Sequence, residues 1–478
     1  MRVHFAGRAG DPRGISGWLA YHRESVQAST SFGGEKRFNC ATSPELAAFI
    51  NRRPRFLKKN VKAIRLITLL VALTVTLAAV VSPFSEPSAF SPRARLAPEA
   101  SAPKPVVTIP FKLVTRHIVV PVKINNSRPL SFVFDTGDKV GIVDIARAKE
   151  LGLDLQGQLR IGGAGSDSLV GSYVRNATWK LQGFEDFSQP VALAIPLGRL
   201  AARFGHDFDG IIGSDFIKQF VIEVDYQARV LKLHAKEGFV YSGNGESMPI
   251  QFNGQGHPII DAEVTPRGGE PIKGKFILDL GSSGALALHT PLVKEHRLLE
   301  SNHQTIRAIG VGGAGGDVQA RLGRVAELKI GKFKITAPTA LFSQDKAGAF
   351  ANASLAGNIG QRIASKFKLF LDYERQRIIL EPASNFNEPF DSAQSGLALT
   401  TEGADRSILR VLEVLENSPA SEAGFLKDDQ IVKVNGKDAS ELSITKLGEM
   451  FERPGSYQMT VRRADKTIEL KLTTRKMI

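Results

Sequence analysis

The stretch Phe132-Val133-Phe134-Asp135-Thr136-Gly137 ends an apolar run on a carboxylate and a glycine, and Phe276-Ile277-Leu278-Asp279-Leu280-Gly281 repeats it 144 residues later. The echo continues downstream. Asp209-Gly210-Ile211-Ile212-Gly213-Ser214 answers to Ala356-Gly357-Asn358-Ile359-Gly360-Gln361, and Val224-Asp225-Tyr226-Gln227 answers to Leu371-Asp372-Tyr373-Glu374, both at an offset of 147. An Asp-Gly after a strand is by itself an ordinary turn. Its recurrence in a matched context points to two tandem copies of one β-rich unit, each presenting a carboxylate at a strand end.

The flanking segments agree with duplication. Residues 117–124 and 130–134 read as strands around an Asn125-Asn126-Ser127 turn, and 145–153 carries helical spacing. In the second copy residues 259–264 and 275–278 are the strands, 266–269 the turn, and 291–298 a short helix. Glycine-rich segments follow at matching places, with Gly162, Gly163 and Gly165 in the first copy and Gly310 to Gly316 in the second. The second matches G-x-G-x-x-G, but residues 318–330 open no βαβ helix, so both segments are read as hairpin tips and not as a nucleotide site.

Over residues 106–381 this pattern resembles the pepsin-type aspartic peptidases, with the retroviral-type half-unit fused head to tail. The resemblance implies an all-β, bilobal acid-protease fold in which Asp135 and Asp279 face each other and share one proton. A water activated between them would hydrolyse a peptide bond, with no cofactor and no acyl-enzyme. It also implies that Thr136 and Gly137 brace one loop, that Gly281 lies in the other, and that Ser282 bonds the outer carboxylate oxygen of Asp279. Gly210, Gly213, Gly357 and Gly360 are expected to allow close backbone approach behind the Asp loops. One hairpin closes over substrate in that family, and the first-lobe segment 159–174 is preferred as the flap. Two positions depart from the pattern. Leu280 stands where the second bracing hydroxyl is usual, and Asp138 adds a third carboxylate where a small residue is usual. Both leave open an alternative: an inactive bilobal peptide-binding or scaffold protein of the cell envelope.

A third unit follows a Pro-, Asn- and Ser-containing hinge at 382–395. Gly396-Leu397-Ala398-Leu399, Ser418-Pro419-Ala420 and Asp429-Gln430-Ile431-Val432-Lys433-Val434-Asn435-Gly436 resemble a bacterial PDZ domain. Such a module takes a chain terminus or extended segment along a sheet edge, here beside Gly396 to Leu399 and a helix over 443–451.

Composition limits the rest. Residues 1–65 hold 13 Lys and Arg against 4 Asp and Glu, so nine of the fourteen net positive charges sit in the head and nucleic-acid binding is not indicated. The one cysteine, Cys40, precedes the repeats, which excludes disulfides and thiolate chemistry from them. No H-E-x-x-H, G-x-S-x-G or P-loop occurs, and His289 and His296 are poorly spaced for a metal. Residues 66–84 carry no charge and follow Lys58, Lys59, Lys62 and Arg65, the plan of either a transmembrane anchor or a cleaved signal peptide. The expected protein is therefore exported, either anchored by this N-terminal hydrophobic helix or periplasmic or secreted after cleavage. The expected division is a basic head (1–65, with a true start near Leu57), the apolar segment (66–84), a linker (85–105), lobe one (106–236), lobe two (237–385) and the PDZ unit (394–475).

Overall fold

A computed structural model describes residues 105–187, 191–392 and 394–478. The basic head with Cys40, the apolar segment 66–84 and nearly all of the linker lie outside the described residues. Among the described residues no helix is long and apolar enough to cross a membrane.

The two Asp-bearing units fold into sheets of matching topology. In lobe one the strand Leu130–Phe134 runs parallel to Gly210–Ile212, which pairs antiparallel with Gly141–Asp144, and that strand runs parallel to Ala192–Ile195. Lobe two repeats each pairing with Ile272–Leu278, Gly357–Ile359, Leu286–Leu288 and Thr339–Ser343. A strand threaded between two others needs close approach. A Cβ on Gly210 would run into Ile142 O and the Phe132 ring, and one on Gly357 into Ala287 O. Glycine at both sites follows from that crowding.

A six-stranded sheet joins the lobes. Its central pair is antiparallel and shared, with Val221 opposite Asp372, Ile222 opposite Leu371 and Val224 opposite Leu369. Each lobe adds the return strand of its hairpin, Val230–His234 or Arg377–Pro382, and then an outer strand, Val107–Pro110 or Glu246–Pro249. The core is continuous through this frame. Phe132, Phe134, Ile222, Phe276 and Leu371 are fully buried in one cluster. The PDZ unit has its own sheet and its own core, built on Val411, Phe425, Leu447, Met459 and Val461.

The helix expected at 145–153 runs only Ile145–Glu150. Gly152 takes a left-handed φ of 62° and its N–H turns back to Lys149 O, which ends the helix. Asp372, in the second of the echoed strings, is fully buried and carries Arg375 at 3.2 Å and Arg377 at 2.8 Å.

Phe276 fills the space behind the second Asp loop with no exposed surface. Phe276→Ala should lower unfolding free energy by about 4 kcal/mol. Urea denaturation followed by fluorescence checks this, with the midpoint falling and the slope unchanged.

Candidate active site

The topology brings the two repeated loops together tip to tip. Asp135 and Asp279 follow their strands directly, and each donates its main-chain N–H to the threaded strand, Asp135 to Ile212 O at 3.0 Å and Asp279 to Ile359 O at 2.9 Å. Each carboxylate then accepts from the glycine two residues on, Asp135 Oδ1 from Gly137 N at 2.6 Å and Asp279 Oδ1 from Gly281 N at 3.0 Å. Each glycine also faces the opposite acid. The point a Cβ on Gly137 would occupy lies 2.8 Å from Asp279 Oδ1 and 3.0 Å from Asp135 Oδ1, and a Cβ on Gly281 would overlap the Asp135 carboxyl. Both carboxylates therefore converge on one spot, and neither glycine tolerates a side chain.

Thr136 is fully buried between the loops. Its hydroxyl donates to Leu278 O at 2.5 Å and accepts from Leu280 N at 2.9 Å, so one group bonds twice across the lobes. Leu280 offers no reciprocal hydroxyl. Its loop is held by main-chain contacts instead: Gln361 Nε2 donates to Leu280 O at 2.6 Å, and His117 Nε2 lies 3.1 Å from Gly281 O. Burial holds His117 neutral by lowering its pKa to about 4, so the ring has one N–H to share between Gly281 O at Nε2 and Val114 O, 3.3 Å from Nδ1.

The outer oxygen of Asp279 accepts from Asn358 Nδ2 at 2.8 Å, and Asn358 Oδ1 in turn lies 2.9 Å from His289 Nε2. Ser282 acts through its main-chain N–H, not its hydroxyl. Asn358 stands in the quoted repeat opposite Ile211, and that polar substitution in an apolar string was the available signal. His117 had none, because its partner is 164 residues away.

Burial pushes Asp135 well above the usual carboxylate range, and the charges of Asp279 and Asp138 push the same way. Burial also raises Asp279, opposed by the Asn358 amide and the N–H groups of Gly281 and Ser282. Asp138 points inward and bonds Asp135; burial and the Asp279 charge raise its pKa to about 6. Three close carboxyls cannot all ionise cheaply, so protons are retained here at mildly acid pH.

Hairpin tips from both lobes meet each other, whereas the sequence preferred one flap. Asp167 N donates to Gly315 O at 2.7 Å, and Gly163 O accepts from Ala349 N at 3.2 Å. Gly165, with φ of 97°, packs against the backbone of Gly315 and Gly316 where a Cβ would not fit; a Cβ on Gly316, with φ of 95°, would run into the Asp167 carboxyl, while Gly162 faces open space. Gly213 and Gly360 lie behind the Asp loops, where a Cβ would come within 2.8 Å of Asp138 O or 2.7 Å of Ser282 O.

Two lobes of shared topology, each bringing one Asp loop to their junction, define the bilobal acid-protease fold. Residues 120–216 and 261–362 match the family model for aspartyl protease, and residues 410–463 match that for the PDZ domain. No curated protein matches. Residues 120–216 and 261–362 thus carry two tandem aspartyl protease matches, one in each lobe, and a PDZ match follows them.

Thr136→Val should cost about 2 kcal/mol, since it leaves Leu278 O and Leu280 N–H buried without partners, whereas Thr136→Ser should retain most of the stability. Thermal unfolding of the two variants tests this. Asp138 binds its proton more tightly in the folded chain than its unfolded value of 3.8 allows. The stability it contributes is therefore complete below that value and lost as pH rises through about 6. Asp138→Asn should flatten the fall in thermal midpoint across this window, as calorimetry at several pH values would show.

Proposed function

We propose that the protein is an aspartic endopeptidase in which Asp135 and Asp279 activate one water. The observation that carries this reading is the convergence of both inner carboxylate oxygens on the point beside Gly137. The asymmetric surroundings suggest the roles. Asn358 steadies negative charge on Asp279, while Asp135, crowded by Asp138, favours the proton. Asp279 would take a proton from the water as its oxygen attacks the scissile carbonyl, and protonated Asp135 would donate to the carbonyl oxygen. Collapse of the resulting diol returns that proton to Asp135, and Asp279 passes the other to the departing amine. The twin glycine hairpins would enclose the segment being cut and exclude bulk water.

The PDZ domain supplies an edge, Leu397–Glu402, on which an extended chain could add as a strand. We also infer, from residues 58–84 alone, that the protein is exported and faces away from the cytoplasm, anchored or released by cleavage; cell fractionation with protease protection tests that inference.

Asp135→Asn and Asp279→Asn should each reduce hydrolysis of a quenched peptide substrate by about a thousandfold, with folding intact by circular dichroism. Activity of the parent should be greatest at acid to mildly acid pH, where one proton stays on the pair, and should fall as pH rises and that proton leaves. Equal inertness of parent and variants from acid to neutral pH would favour a peptide-binding protein without turnover.

A further inference from the structure

The groove between the PDZ strand Leu397–Glu402 and the helix Ile444–Phe451 is already in contact with the peptidase lobes on both walls. On the strand side lies the short helix Gly198–Phe204 of lobe one, where buried Thr401 donates its hydroxyl to Ala202 O at 2.9 Å. Gly205 ends that helix with a left-handed φ of 62°, wedged between the walls. A Cβ there would collide with Ile444 and stand 3.3 Å from Thr401 Cγ2. On the helix side Thr115 N–H donates to Thr445 Oγ1 at 3.1 Å, and Glu452 pairs with Arg116 and with Arg362. A peptide strand cannot enter beside Thr401 while Gly205 is in place.

The same lobe-one helix touches two working parts of the cleft. Arg199, at 2.8 Å, and Arg203 both pair with Asp317, which ends the second-lobe tip hairpin Gly312–Gly313 and Gly316–Asp317. Arg203 also packs where a Cβ on Gly312 would stand. Phe204 stacks on His117 with ring centroids 4.2 Å apart, and His117 holds Gly281 O in the Asp279 loop. His117 Nδ1 lies 3.3 Å from the Thr115 hydroxyl, so the residue that meets the PDZ helix also meets His117. Both walls of the groove are thus three contacts from the Asp279 loop, and the strand wall is two contacts from the second hairpin.

We propose that the helix Gly198–Phe204 is a latch that fills the PDZ groove at rest, and that an extended peptide entering the groove displaces it. Displacement releases Asp317, frees the second hairpin from its partner tip and opens the roofed cleft to substrate. Groove occupancy and cleft opening are then linked, because the peptide binds only the unlatched state. The link itself needs no peptidase activity; its effect on turnover rests on the endopeptidase reading above.

The test uses the full chain with Thr401→Arg, which drives a charged side chain into the latch contact from the PDZ side and leaves the PDZ core residues untouched. Hydrogen exchange is expected to accelerate at least about tenfold in residues 198–205 and in 312–317 together, while Ser456–Arg463 and Lys466–Thr473 stay protected. Arg199→Ala with Arg203→Ala should accelerate 312–317 to a similar degree with Ile444–Phe451 unchanged. Hydrolysis of a quenched octapeptide at acid pH should rise severalfold in both variants. Faster exchange at 198–205 with no change at 312–317 overturns the latch, as does unchanged exchange at 198–205 with arginine at position 401. If both segments loosen as expected but parent and variants hydrolyse nothing, the peptidase reading fails and the latch stands.

Discussion

The Thr136 hydroxyl is bonded to Leu278 O and Leu280 N–H of the other lobe at once, in a place no water reaches. Much else follows from that anchorage. It fixes the distance between two loops whose strands belong to different halves of the chain, and the shared pair Val221–Asp225 and Phe367–Asp372 prevents the halves from sliding. Given a fixed distance, Gly137 and Gly281 decide how near the acids come, since any side chain there would stand where a carboxyl now stands. Mutual repulsion and burial then compel the group to keep hydrogen that isolated carboxylates would lose.

The site is symmetric in backbone and asymmetric in charge. Both Asp residues have the same strand, the same threaded neighbour and the same glycine donor. Only Asp279 has an amide on its outer oxygen, and only Asp135 is hydrogen-bonded to the third acid, Asp138. The second lobe, lacking a hydroxyl at Leu280, relies on Gln361 and on His117 from the first lobe to hold its loop.

Much of the fold was legible because its signals are local. His117–Ile124 and Leu130–Phe134 stand out as apolar runs divided by an Asn-Asn-Ser turn, and the duplicated strings around Asp135 and Asp279 place those residues in equivalent loops. The PDZ helix is announced by its cap, Ser443, and by the spacing of Ile444, Leu447 and Phe451. What escaped depends on distant partners. Asn358 reaches the outer oxygen of Asp279 on a strand threaded from 79 residues away. The meeting of Gly165 with Gly315 and Gly316 joins two hairpins that local pattern treats separately. Nothing near position 198 announces that a helix there will seat itself against another domain.

Carrying both halves on one polypeptide has a consequence that a pair of identical subunits could not share. In a self-associating half-molecule every substitution is imposed on both sides of the axis, so Thr136 could not face Leu280, nor could Asn358 replace the Ile211 of the repeat on one side alone. Fusion lets one half specialise in rigidity and the other in charge, and the direction in which a bound chain threads the channel becomes a property of the protein instead of a coin toss between equivalent orientations.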